Sequence, residues 1–70
     1  MIELMYFYEG QDGTSNGYQL IQFTPEEPWR VVLDGELLGS LDQYAGKWRQ
    51  QSGADFNAEL FDGFIALIDA

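Results

Sequence analysis

Seventy residues, twelve of them acidic and three basic, with neither cysteine nor histidine, leave a net charge of −9. This rules out disulfides, thiolate metal sites and histidine-based catalysis, and it opposes binding to nucleic acid or an anionic membrane surface, where Lys and Arg supply the affinity. One domain, residues 1–70, must hold itself by apolar packing near the lower size limit for doing so; eleven aromatics within a 46% hydrophobic composition make that feasible.

The chain opens on MIELMYFYEG, which has no basic leader or small-residue cleavage site and is too short to span a bilayer. It reads as a strand of a soluble protein, and the lack of cysteine fits the cytoplasm. Ile2, Leu4, Tyr6 and Tyr8 fall on one side, with Met5 and Phe7 on the other. Apolar residues on both sides suggest a central strand, or one covered on one face and touched by a neighbour on the other. The turn-rich GQDGTSNG, residues 10 to 17, leads to a second strand over residues 18 to 24. There the apolar side switches between Leu20 and Ile21, which predicts a bulge or sharp twist. TPEEP fits a single helical turn, with Thr24 as its cap, Pro25 at its first position and Glu27 completing a capping box.

From Trp29 to Trp48 the pattern is a three-strand antiparallel meander. Trp29, Val31 and Leu33 share one face of its first strand; Leu37, Gly39 and Leu41 share one face of its second. A two-residue turn at Asp34-Gly35 mixes these faces. A three-residue loop, Leu33-Asp34-Gly35 with a G1 bulge, keeps them together by pairing Val31 with Leu37 and Trp29 with Gly39, and is the register expected here. Gly39 then leaves room for the Trp29 indole. DQYAG, residues 42 to 46, closes the last hairpin, and KWRQ is a short strand whose charges suit a sheet edge. RVVLDGELLGSL, residues 30 to 41, is similar to the hairpins of photosynthetic reaction-centre barrel domains, in which a strand, a D-G-x-x-x-G turn and a second strand recur. The resemblance spans twelve residues of a kind shared by tight hairpins, and neither fold nor function is carried from it.

Ser52 and Asp55 have capping-box spacing, so a helix is expected from there to about Asp69. Phe56, Leu60, Phe61, Phe64, Ile65, Leu67 and Ile68 cover about half its circumference at 100° per residue. The sheet face carrying Trp29, Val31 and Leu33 is its natural floor. Gly63 costs about 1 kcal/mol relative to alanine in a helix interior; close approach to the sheet would explain it, and so, equally, would tolerance of a mild defect.

No motif carries a recognisable chemistry. The carboxylate pairs Glu26–Glu27 and Asp34–Glu36 sit in turns without a cleft, so no catalytic residue is assigned and the chain is read as a non-enzyme. DGTSNG, residues 12 to 17, starts like a calcium loop but has Phe23 where a bidentate Glu is needed, so no metal ligands and no cofactor are assigned. Arg30 points away from Trp29, while Lys47 and Arg49 share a face and form either a cationic patch with Tyr44 or ordinary pairs with surface carboxylates.

The expected architecture is α+β: a five-stranded antiparallel meander-type sheet, twisted or partly barrel-like, with one C-terminal helix packed on one face. Such a sheet leaves its other face bare, and contiguous exposed apolar surface usually marks an interaction site. Arg30, Val32, Leu38 and Tyr44 are the candidate residues of that surface. The functional expectation is a small acidic protein-interaction module, as an inhibitor or immunity-type charge mimic or as a homodimer through the open sheet face. A small-ligand binder or enzyme using a pocket lined by Tyr6, Tyr8, Trp29 or Trp48 is the alternative.

Overall fold

The computed structural model describes residues 1–10, 12–53 and 55–70. Five strands, β1 (Ile2–Glu9), β2 (Ser15–Gln22), β3 (Trp29–Leu33), β4 (Glu36–Tyr44) and β5 (Lys47–Gly53), are followed by α1 (Ala58–Ile68). The strands form one antiparallel sheet in the order β1-β2-β3-β4-β5. The sheet is open, with β1 and β5 as its edges. The α+β meander with one C-terminal helix is therefore the architecture, and the sheet does not curl closed.

The first hairpin of the central meander corrects the expected register. Asp34 and Gly35 both have positive φ, 52° and 80°, and Leu33 pairs directly with Glu36. This is the two-residue turn whose twist matches that of the strands it joins. The face mixing it causes is repaired one step later. Val32 pairs with Leu37 but Val31 with Gly39, so Leu38 is an extra residue on β4. Beyond that bulge Trp29 pairs with Leu41, and both are buried on one face. Gly39 thus faces Val31, not Trp29. Its missing side chain serves β5 instead, since a Cβ there would collide with the Ser52 carbonyl and crowd the Gln50 amide. The β4–β5 turn is likewise two residues, Ala45 and Gly46, at φ 53° and 78°.

Several local expectations shift. No irregularity separates Leu20 from Ile21; β2 pairs continuously with both neighbours, and Ile21 simply faces the other side. Thr24–Glu27 closes a turn through one Glu27 N–H to Thr24 C=O bond of 3.1 Å. The Gln22 amide, not a capping box, holds that segment, donating to the Pro25 and Glu27 carbonyls at 3.1 Å each. The strand expected to be short, β5, extends through Ser52, whose Oγ lies 2.7 Å from Ser40 Oγ. Ser52 is therefore no helix cap. Asn57 caps α1, its Oδ1 accepting from Leu60 N–H at 2.8 Å. Residues 11 and 54, within the expected loop and the expected first helical turn, lie outside the described residues.

Beneath α1 the core is aromatic. Phe64, fully buried, meets Tyr6, Tyr18 and Phe56 edge-on at centroid separations of 5.3–5.4 Å. Leu20, Val31 and Leu41 are also fully buried on this face. The helix lies on the expected face but is displaced towards the β1 edge. β1 is thus an edge strand, its Leu4–Tyr6–Tyr8 side packed against the core and its Met5–Phe7 side open. Close approach accounts for Gly63, because a Cβ there would run into the Tyr6 ring and hydroxyl.

Candidate functional site

Strand alternation combined with this register assembles the face turned away from α1. Met5, Gln19, Val32 and Leu37 form one cross-strand row, and Glu3, Ile21, Arg30, Ser40 and Ser52 form the next. Phe7 lies over Gly17, its ring 3.2 Å from where a Gly17 Cβ would stand, with Met5 Cε at 3.5 Å. A side chain at Gly17 would crowd the phenyl ring. Phe7 remains 72% exposed, Leu37 60% and Met5 44%. Phe23, at the same side just beyond β2, is also exposed and lies under the Arg30 guanidinium at 4.5 Å.

The candidate residues named from sequence fall as follows. Arg30 and Val32 are on this face as expected. Leu38 is corrected: the bulge turns it towards the buried cluster, against which it packs, and Leu37 takes the exposed position. Tyr44 is exposed at the far end of β4, under the Arg49 guanidinium at 4.7 Å. Arg49 also pairs with Asp42, Nε to Oδ1 at 2.8 Å and Nη2 to Oδ2 at 3.3 Å. This hydrogen bond holds the Asp42 carboxyl below its ordinary value and raises the guanidinium. Met5, Phe7 and Leu37 were missed from sequence. The alternation in β1 identified Met5 and Phe7 as a pair, but only the bulge decided between Leu37 and Leu38.

The face is electrically balanced. It carries Glu3, Glu9 and Asp42 against Arg30, Lys47 and Arg49, so all three basic residues of the chain lie on it. Twelve acids less these three leaves nine, equal to the whole net charge of −9. The excess acid is therefore carried by the loops, the turns and the helix side.

On the helix side, between the 25–28 segment and β4–β5, lies an open groove of about 500 Å³, lined by Trp29, Leu41, Gln43 and Trp48 with Glu26 and Glu27. Trp29 is buried, so its indole forms wall more than binding platform. Trp48 Nε1 is buried without a hydrogen-bond partner, an exception to the usual satisfaction of such groups. Tyr6 and Tyr8 pack at the core, away from this groove's lining. The Asp12 loop is an Asx turn: Asp12 Oδ1 accepts from Thr14 Oγ1 at 2.7 Å and Thr14 N–H at 3.1 Å, which lowers its pKa. No cluster of three or more potential metal ligands occurs among the described residues, and no helix among them is long and apolar enough to cross a membrane.

Comparison with protein-family models, curated proteins and solved structures finds no match to this chain.

Proposed function

We propose that this chain is a non-catalytic, cytoplasmic protein-interaction module that docks through the bare face of its sheet. Exposed Met5 and Phe7 on β1 and exposed Leu37 beside half-buried Val32, with Gln19 between the two groups, carry this reading, because apolar side chains left open on a sheet whose other side is covered by a helix have no folding role of their own. The face's charges cancel in sum, so a partner need not carry a strong charge of either sign. The acid surplus elsewhere keeps the chain soluble and opposes non-specific contact with nucleic acid.

The experiment is site-resolved crosslinking in the cells that make the protein, with a photoreactive amino acid at Leu37 or Phe7 and, as control, at the exposed helix position Asp62. Adducts with protein at Leu37 and Phe7 and none at Asp62 are expected. Equal yields at all three positions, or none at the sheet positions, would remove the reading.

A further inference from the structure

The layout of charge on the bare face, taken with the interaction reading above on which this inference rests, points to a particular occupant: we propose that a second copy of this chain covers the face, related by a two-fold axis running along the strands between β2 and β3. The charges are not scattered. Glu3 and Glu9 lie along β1, and Arg30, Lys47 and the Arg49–Asp42 pair lie on β3, β4 and β5. In one cross-strand row Glu3 on β1 and Arg30 on β3 flank Ile21, and in the next Met5 on β1 is followed by Gln19, Val32 and Leu37. A row that carries one acid and one base is self-complementary when a second copy is turned over onto it.

A two-fold along the strands lays β1 of one copy over β4 of the other and β2 over β3. In that arrangement Met5 stacks against the second copy's Leu37, and Gln19 against its Val32. Arg30 lies over the second copy's Ile21, one strand away from its Glu3. Arg30 makes no ion pair within its own chain among the described residues; its recorded contact is the Phe23 ring. The dimer gives it a carboxylate. An isologous contact of this kind needs only one surface, used twice.

Size and field agree. The broad side of the chain, at most 35 × 23 Å, sets the upper limit of such a contact near the roughly 800 Å² per partner that standard interfaces bury. Two sheets stack about 10 Å apart. That places Glu59 and Asp62 of each copy's α1 on the outer layers, beyond the Debye length of about 8 Å at physiological salt. A strongly basic partner, by contrast, would be drawn to those outer carboxylates and away from a face whose own charges cancel.

The test is the solution mass of the intact chain by light scattering and sedimentation at low and high salt, with folding of each variant followed by circular dichroism. Twice 8.0 kDa is expected for the wild type at both salt concentrations. Leu37→Asp, at a position too exposed to unfold the domain, should weaken association at least about tenfold. Glu3→Arg and Arg30→Glu should each weaken it, and the two together should restore it, because the swap re-creates one acid and one base in the same row. A wild type that stays monomeric into the millimolar range would overturn the second copy while leaving the Leu37 crosslinks to judge the module reading. Association unaffected by Leu37→Asp would place the contact elsewhere, and a double swap without rescue would overturn the proposed register. Self-adducts of doubled mass at Leu37 would support the dimer; a different protein there would replace it.

Discussion

Both faces of the sheet carry large apolar side chains, and these end in opposite states. One carries Tyr6, Tyr18, Leu20 and Val31 and is closed by Phe64; the other carries Phe7, Met5, Val32 and Leu37 and is closed by nothing among the described residues. The hydrophobicity of these side chains does not separate them. What separates them is whether an amphipathic partner lies within reach, and a single eleven-residue helix can cover only one side. The difference teaches that hydrophobic character in a strand predicts burial only when a covering element is available. On the function proposed above, the leftover apolar face is the docking surface and not a defect of packing.

The sharpest way to break this comparison is to truncate one phenylalanine from each face. Phe64→Ala should cost about 3–5 kcal/mol, which approaches the entire stability of a core this small, so the thermal transition should vanish or fall steeply. Phe7→Ala should move stability by about 0.5 kcal/mol or less, provided both are measured at concentrations where any association is absent. Similar losses at both positions would mean that the bare face contributes to the fold after all.

Gly63 tests how closely the helix lies on β1. Alanine is the better helix former by about 1 kcal/mol, yet its Cβ would strike Tyr6, and overpacking of that kind costs about 1–3 kcal/mol. Gly63→Ala should therefore destabilise the domain, and less so in a Tyr6→Phe background, where the hydroxyl is gone. Additive losses in chemical denaturation would show that the two residues do not touch.

The smallest effect belongs to the ion pair on the bare face. The Arg49 hydrogen bond depresses Asp42 from its ordinary value of 3.8. A carboxyl whose folded pKa is depressed contributes stability that is present above its unfolded value and lost as pH falls through the folded one. Arg49→Gln should thus move the Asp42 titration upward, towards 3.8, when followed by NMR of its side-chain carboxyl. Because the pair is solvent-exposed, the effect on thermal stability at neutral pH should be slight. A titration that stays where it was would mean the pair does not persist in solution.

Much of the architecture was legible because it is local. Alternation over Trp29–Leu33, the Asp-Gly turn and the half-apolar C-terminal helix each encode an element within a few residues, and together they specify α+β with five strands and one helix. Position along the chain also identified the helix side, since Trp29, Val31 and Leu33 had to be covered. The register of β3 with β4 was not legible. A tight turn that mixes faces looks wrong until a bulge three residues later restores them, and a bulge is a compromise among three strands: Leu38 is displaced where β4 must pair at once with β3 and with the backbone of β5. The helix start was misread for a related reason. Ser52 has the chemistry of a cap, but hydrogen bonding to Ser40 across the sheet claimed it for β5, and Asn57 was left to cap α1. Sequence alone thus determined which segments are strands and helix, because these follow from neighbouring side chains, but not whether the sheet would close on itself or leave a face bare. Tertiary structure decided which leucine lies on that face and that all three basic residues gather there, because register depends on strands far apart in the chain settling their pairing together.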